Sequence, residues 1–213
     1  MKHFVVIAGN IAAGKTTLTQ QLSKQLGWEP FLESVDDNPY LADFYADMNR
    51  WSFHSQIFFL SRRLAHHRQL LQRPNSVVQD RSVYEDAEIF AHNLFLQGRM
   101  SERDYRLYRE LYEAVIALLP PPDLVVYLRG SVPELQARII QRGRDFEQEM
   151  DPAYLAQLNK LYDNWIANFA HCPILTVPTD SINFAQNTMH LDLVIRKITD
   201  KLQGQELVEF PAA

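Results

Sequence analysis

The fold of this chain is decided by residues 4–17, FVVIAGNIAAGKTT. A short apolar run leads directly into the pattern G-x-x-x-x-G-K-[ST], which begins at Gly9 and ends at Thr16. Glycines in this pattern let backbone N–H groups turn toward phosphate oxygens, the lysine reaches the β- and γ-phosphates, and the final hydroxyl can ligate Mg²⁺. The pattern therefore predicts a nucleoside triphosphate site formed by Gly9, Asn10, Ile11, Ala12, Ala13, Gly14, Lys15, Thr16 and Thr17.

Beyond the loop, short β-type runs alternate with longer helical runs. Strands are predicted at residues 3–8, 31–32, 76–79, 123–128 and 173–177, and the main helices at 15–26, 40–49, 51–72, 82–96, 131–141 and 189–202. This alternation predicts an α/β fold with a five-stranded parallel sheet and helices on both faces, in a single domain of residues 1–213. Because such sheets bind ligands beyond the carboxyl ends of their strands, the positions of interest are Gly9, Glu33, Asp80 and Arg129.

Side chains suited to capping precede three of the predicted helices. Ser101 and Ser131 each stand three residues before a carboxylate, which is the arrangement of a capping box. Asp151 precedes Pro152, a residue favoured at the first helical position. We therefore expect all three side chains to cap the helices that follow them.

The composition excludes several classes of protein. The chain of 213 residues is 46% hydrophobic and 22% charged, the balance of a globular protein with a full core. Its net charge of −5 argues against a nucleic-acid-binding surface. The single cysteine, Cys172, excludes an internal disulfide framework, and no apolar run approaches the ~20 residues that cross a bilayer. The first residues do not resemble a signal peptide, so we expect a cytoplasmic protein with no membrane partner.

A guanine-specific nucleotide site is not expected. It would need the clamp N-K-x-D, and the nearest string, residues 159–163, is one residue too long and lies within a predicted helix. Motor, regulatory ATPase and kinase functions remain open at this point.

Three polar positions indicate an acceptor site opposite the loop. Glu33 follows the second predicted strand, where it could take a proton from an attacking hydroxyl. Gln56, Phe59 and Arg63 share one face of a predicted helix, and a glutamine amide can pair with the edge of a nucleobase. The alternative interpretation is a solvated loop acid and a partly exposed helix whose polar groups are satisfied.

An arginine cluster follows the fourth predicted strand. Arg138 and Arg142 lie four residues apart on a helix, and Arg144 follows Gly143. Like charges at this spacing repel unless an anion lies between them. A lid at about residues 142–150 that closes on transferring phosphates would supply that anion. The alternative is a solvated basic face offset by Glu134, Asp145 and Glu147.

Five segments together resemble the deoxynucleoside kinase family, the group that contains deoxycytidine, deoxyguanosine and deoxyadenosine kinases. They are GNIAAGKTTL, ESVDDNPYLADFY, WSFHSQ, DRSVYED and RGRDFEQ, in the family's order between about residues 3 and 165. The resemblance implies a P-loop kinase fold with an arginine-bearing lid, and transfer of phosphate from ATP, with Mg²⁺, to a deoxynucleoside 5′-hydroxyl. FFLSRR and ESVDDNPYL are most similar to bacterial purine members, which implies deoxyadenosine or deoxyguanosine as substrate, with deoxycytidine as a further acceptor.

The resemblance also assigns roles near the reacting groups. Glu33 corresponds to the general base, Arg81 to the arginine that holds the 5′-hydroxyl and the base, and Asp80 to the carboxylate that positions Mg²⁺ beside Thr16. Lys15 and three further arginines correspond to the groups around the phosphates, and these arginines are Arg138, Arg142 and Arg144.

The remaining roles concern the nucleoside. Tyr45 and Glu147 match the pair that grips the sugar 3′-hydroxyl. The base is expected to meet Gln56, which reads its edge, Phe90, which stacks on it, the neighbouring Phe59, and the charged pair Arg63 and Asp86. Members that accept thymidine usually have smaller or apolar residues in place of this pair.

Two departures and two rival functions accompany the resemblance. Asp80 replaces the glutamate of animal members, and Ala8 stands where many members have glutamate. A nucleoside monophosphate kinase of the thymidylate kinase type is one rival, although Glu33 would repel an acceptor phosphate. A non-catalytic ATP-binding switch is the other.

Family members are usually homodimers, and the apolar content of the helices at 51–72 and 82–96 agrees with this.

Overall fold

The computed structural model describes residues 2–32, 38–144 and 150–204. Within them, one sheet of five parallel strands has the order β2-β3-β1-β4-β5. The strands are β1 (Phe4–Gly9), β2 (Glu29–Phe31), β3 (Val77–Asp80), β4 (Leu124–Arg129) and β5 (Ile174–Pro178). The predicted five-stranded parallel sheet is therefore confirmed, with the strand bounds shifted by one or two residues.

Helices connect the strands. They are α1 (Lys15–Leu26), α2 (Leu41–Ala46), α3 (Met48–Leu71), α4 (Val83–Glu85), a π-helix (Asp86–Ala91), α5 (His92–Leu96), α6 (Glu102–Ile116), α7 (Val132–Arg142), α8 (Pro152–Asn168) and α9 (Thr188–Leu202). None of the helices in the described ranges has the length and apolarity needed to cross a membrane.

Alternate residues of the central strands enter two different cores. On β1, Val6 packs with α3, α6 and α8 residues in one buried cluster, whereas Val5 and Ile7 pack with α1, α7 and α9 residues in the other. Since successive strand side chains point to opposite faces, β1 is covered on both sides. This packing confirms helices on both faces of the sheet and holds the carboxyl ends of β1 and β3 side by side.

The structure confirms two of the expected caps and corrects the third. The side chain of Ser101 accepts from the N–H of Asp104, and that of Asp151 accepts from the N–H of Ala153. The capping box at Ser131 is wrong, because its side chain makes no cap hydrogen bond.

Other partners take the two groups that would have closed the capping box at Ser131. The backbone N–H of Ser131 donates to Asp180 at 2.9 Å, and Glu134 forms an ion pair with Arg138 instead of closing a box.

The predicted helix at 82–96 contains a π-helical turn that its sequence did not indicate. Ser82 and Glu85 form a capping box at its start, and the backbone widens into the π-helix from Asp86 to Ala91. Such turns are rare and often occur at functional sites. Here the widened turn carries Asp86 and Phe90, both of which line a cleft.

Candidate active site

A cleft of about 980 Å³ lies at the carboxyl ends of β1 and β3. It joins the phosphate loop to α3, the turn after β3, α7 and the segment after β5. Most of the residues predicted for the site line it, namely Ile11, Ala12, Gly14, Lys15, Thr16, Thr17, Tyr45, Gln56, Phe59, Asp80, Arg81, Asp86, Phe90, Arg138, Arg142 and Arg144.

Four predicted residues lie behind the cleft wall, and two cannot be located. Gly9, Asn10, Ala13 and Arg63 are absent from the lining, and Asn10 and Arg63 are buried. Glu33 and Glu147 lie outside the described residues. Arg129, at the end of β4, is not part of the lining and forms an ion pair with Asp163 at 2.9 Å.

The phosphate loop is held in its turn by its own backbone and by Lys15. Gly9 and Gly14 have φ values of 150° and 99°, in the region that favours glycine. A Cβ at Gly9 would lie 2.7 Å from the carbonyl oxygen of Leu128, so no other residue fits there without displacement. Nζ of Lys15 donates to the carbonyl oxygens of Gly9 and Asn10 at 2.9 Å. Contacts within the chain therefore define the shape of the loop.

Asp80 and Thr16 form a pair suited to a hard divalent cation. The Thr16 hydroxyl donates to Oδ2 of Asp80, while Oδ1 is buried and has no hydrogen-bond partner among the described residues. Because Mg²⁺ prefers carboxylate and hydroxyl oxygens, an unpaired buried carboxylate oxygen beside the phosphate loop fits this ion.

Arg81 adopts an unusual backbone conformation at the end of β3. Its φ of 66° lies in the left-handed region, which only a few per cent of non-glycine residues occupy. Its N–H donates to the carbonyl oxygen of Ile7 on β1 at 3.0 Å. Its guanidinium lies 4.3 Å from the centre of the Phe90 ring. The strained turn thus brings a cation into the cleft over the ring of Phe90.

Arg63 and Asp86 form a buried ion pair at 3.1 Å, with both side chains 5% exposed. Arg63 also donates to the carbonyl oxygens of Asp80 and Arg81 at 3.2 and 3.4 Å. Because Arg63 lies behind the wall, only Asp86 of this pair faces the cleft. Arg63 therefore fixes both a cleft carboxylate and the turn that carries Arg81.

Gln56 presents an unsatisfied acceptor. Its side chain is 5% exposed, and Oε1 has no hydrogen-bond partner among the described residues. A buried amide oxygen without a partner costs roughly 1–3 kcal/mol, so a ligand that donates to it recovers this energy. Phe59, three residues along α3, also lines the cleft.

The arginines near the end of α7 have different environments. Arg138 donates to Glu134 at 2.9 Å and to the carbonyl oxygens of Ala13 and Thr179 at 3.3 and 2.8 Å. Glu134, which the alternative of a solvated basic face named as an offsetting charge, is thus a partner of Arg138 in this structure. Arg142 and Arg144 line the cleft, but the lid predicted at about residues 142–150 lies mostly outside the described residues.

Sequence reasoning missed Tyr154 and Glu85, and it marked Phe184 only by its position in the segment 180–184 after the fifth predicted strand. Tyr154 lines the cleft, and burial raises the pKa of its phenol to about 12, so the hydroxyl stays protonated beside Tyr45 and Arg81. Phe184 lies 3.0 Å from the position that a Cβ would take at Gly14. No motif marks either residue, although Phe184 belongs to the loop after β5.

Glu85 is fully buried behind the loop. Its carboxylate accepts hydrogen bonds from Gly9, Ser82 and Tyr162. Burial raises the pKa of Glu85, and the charges of Arg81 and Lys15 and the hydrogen bonds from Tyr162 and Ser82 oppose this rise.

The chain is similar to proteins of known function over most of its length. The model of the family described as deoxynucleoside kinase matches residues 5–203. The deoxyadenosine/deoxycytidine kinase of Bacillus subtilis (strain 168) is 37% identical over 204 residues, covering 95% of this chain and 94% of the relative. The deoxyguanosine kinase of Lactobacillus acidophilus is 36% identical over 208 residues, covering 93% and 90%. Deoxyadenosine kinase from M. mycoides with bound dATP superposes with a TM-score of 0.81 at 30% identity, covering 92% and 99%.

The raised pKa of Glu85 predicts a pH-dependent stability difference from Glu85→Gln. In the unfolded chain the group ionises near pH 4.5, whereas in the folded chain it ionises at higher pH. Between these two pKa values the folded state binds a proton that the unfolded state has released, so the free energy of unfolding of the wild type falls as the pH rises. A glutamine does not titrate and therefore makes no such contribution. In urea unfolding from pH 4 to pH 8, the free energy of unfolding of Glu85→Gln should rise relative to that of the wild type as the pH rises. A relative fall would mean that the pKa of Glu85 is lowered in the folded chain.

Proposed function

This chain belongs to the deoxynucleoside kinase family, and on that premise we propose that it prefers a purine deoxynucleoside, deoxyadenosine or deoxyguanosine, with deoxycytidine as a further acceptor. The reaction transfers the γ-phosphate of ATP to the 5′-hydroxyl and leaves ADP and a deoxynucleoside 5′-monophosphate. Family membership sets aside the two rivals, the monophosphate kinase and the non-catalytic switch.

The buried Arg63–Asp86 pair carries the proposal on base preference. Adenine, guanine and cytosine have an exocyclic amino group, which thymine lacks. A carboxylate facing the cleft can accept from such a group, as can the unpartnered Oε1 of Gln56. Arg63 compensates the charge of Asp86, so the carboxylate does not stand alone in a buried wall. The Asp86 carboxylate favours amino-bearing bases over thymine, whereas the Gln56 amide, which carries both an acceptor and a donor, can pair with any of the four bases.

The donor side of the proposed mechanism uses the phosphate loop. Its backbone N–H groups and the N-terminus of α1 would hold the phosphates, and Lys15 would leave the Gly9 and Asn10 carbonyls to reach the β/γ bridge. Thr16 and Asp80 would hold Mg²⁺, which supplies charge neutralisation when it is bound. Arg142 and Arg144 would approach the transferring phosphate from α7 and exclude water.

On the acceptor side, the proposed mechanism needs a cation that holds the 5′-hydroxyl and a general base that takes its proton. We propose that Glu33 takes the proton of the 5′-hydroxyl, help that is typically worth ~10²–10⁴ in rate. Arg81 would hold the same hydroxyl, and Tyr45 with Glu147 would bind the 3′-hydroxyl. Phe90 would stack on the base. Most of the remaining acceleration would come from positioning.

We also propose a homodimer and a cytoplasmic location. α6 packs inward through Tyr108 and Tyr112, while Leu107 and Leu111 on its outer face are 54% and 42% exposed. Leu118, in the turn that follows α6, is 82% exposed. Together these leucines form an apolar stripe that suits burial against a second copy. The stripe lies on α6 and the turn after it, and not on the helices at 51–72 and 82–96. The single cysteine agrees with a reducing compartment.

An acceptor panel tests the proposed substrate. ADP release with ATP and Mg²⁺ is measured against the four deoxynucleosides, their monophosphates and the matching ribonucleosides. We expect turnover with deoxyadenosine or deoxyguanosine to exceed that with thymidine by at least about tenfold, since thymine offers no amino group to Asp86. Thymidine as the preferred acceptor would contradict the assignment of the base. Turnover with monophosphates alone would remove Glu33 from its proposed role.

Leu111→Glu tests the dimer. A charge in the apolar stripe should separate two copies, so the variant should elute near the 24.8 kDa chain mass while the wild type elutes near twice that mass. Met189→Glu is the matched control, because Met189 is an exposed apolar residue on α9 and should leave the dimer intact. A monomeric wild type, or a Leu111→Glu variant that remains dimeric, would contradict this interface.

A further inference from the structure

The carboxylate of Glu85 bonds to two different parts of the site through its two oxygens. Oε1 accepts from the N–H of Gly9 at 3.2 Å and from the hydroxyl of Tyr162 at 2.8 Å. Oε2 accepts from the N–H of Ser82 at 2.8 Å and from its hydroxyl at 3.2 Å. Gly9 begins the phosphate loop, and Ser82 directly follows Arg81. One buried side chain therefore connects the donor loop with the turn that carries the acceptor-side arginine.

Both ends of this connection are conformationally demanding. Gly9 has a φ of 150°, and Arg81 has a φ of 66°. The N–H of Gly9 is held by Glu85 while its carbonyl oxygen accepts from Lys15, so both polar groups of this residue are fixed by opposite charges. Strained backbone of this kind persists only where its surroundings over-determine it. Glu85 supplies part of that constraint at both places.

The charges around Glu85 also favour this role. It faces Lys15 from α1, Arg81 from the turn after β3, and the phenols of Tyr127 on β4 and Tyr162 on α8. Among the described residues, the oxygens of Glu85 accept hydrogen bonds from Gly9, Ser82 and Tyr162 and donate none, which suits the ionised form of the carboxylate. Glu85 itself does not line the cleft. Its carboxylate is thus a counter-charge to two site cations without being a contact of either substrate.

We propose that Glu85 is a positioning residue that sets the separation between the phosphate loop and the Arg81 turn. A shorter or uncharged side chain cannot do both tasks. Aspartate lacks one methylene and reaches only one of the two sides. Glutamine keeps the length but turns an NH₂ group toward N–H and O–H donors on whichever side it faces, and it leaves Lys15 and Arg81 without their shared anion.

The test is kcat of Glu85→Gln at saturating substrates, together with the Kd values of ATP and of the nucleoside. Because the inference rests on the proposed phosphoryl transfer, wild-type turnover is measured first with the preferred acceptor, and only the ratio of variant to wild type tests Glu85. We expect kcat to fall at least tenfold while both Kd values stay within threefold, since each half of the site still binds but the halves are misplaced. Glu88→Gln, a surface change three residues along the same segment in a pair with Arg109, should stay within twofold.

Two results would overturn the proposal. One is a kcat within tenfold of the wild type in folded Glu85→Gln, which would make the carboxylate a purely structural group. The other is a loss that appears as weakened substrate binding. If Glu85→Gln does not fold, Glu85→Asp is measured by the same criteria, with its folded fraction taken from thermal unfolding.

Discussion

The pairing of β1 with β3 is the interaction on which the site depends. Ile7 is in register with Asp80, and the next N–H along, that of Arg81, donates to the carbonyl oxygen of Ile7. This parallel register brings the start of the phosphate loop and the Arg81 turn to the same edge of the sheet. A shift of one residue would exchange the faces of the strand side chains and separate Asp80 from Thr16. The phosphate loop and the Arg81 turn are adjacent because the two strands that carry them are adjacent.

Buried charge is the second feature that shapes the molecule. Lys15, Asp80, Arg81 and Glu85 are all nearly inaccessible to solvent, and two cations are matched by two carboxylates. An isolated charge in such a place would be strongly destabilising, whereas a matched set with hydrogen bonds is tolerated. The arrangement keeps two cations beside the phosphate loop, together with Oδ1 of Asp80, which has no hydrogen-bond partner among the described residues. Stability is thereby exchanged for a preorganised site.

Local patterns predicted the parts of the fold that depend on local physics. The loop from Gly9 to Thr16 and the alternation of strands and helices followed from residue types and spacing. Of the strand ends, Asp80 lines the cleft whereas Gly9 and Arg129 do not, and most of the other lining residues were expected from the resemblance to the family. The capping box at Ser131 failed because Asp180, 49 residues away, takes its N–H. The π-helix and the two-sided contacts of Glu85 were likewise invisible, since they arise from packing between distant segments. Within DRSVYED the adjacent carboxylates Glu85 and Asp86 look alike in sequence, yet Asp86 faces the cleft and Glu85 lies behind it.

We infer that donor and acceptor meet directly across the edge shared by β1 and β3. Steady-state phosphorylation with ATP made chiral at the γ-phosphorus by oxygen isotopes and sulfur tests this claim. A single in-line transfer to the 5′-hydroxyl predicts inversion of configuration at phosphorus in the deoxynucleoside product. Retention would require two successive transfers through a phosphorylated side chain, and would contradict a site in which the two substrates lie against each other.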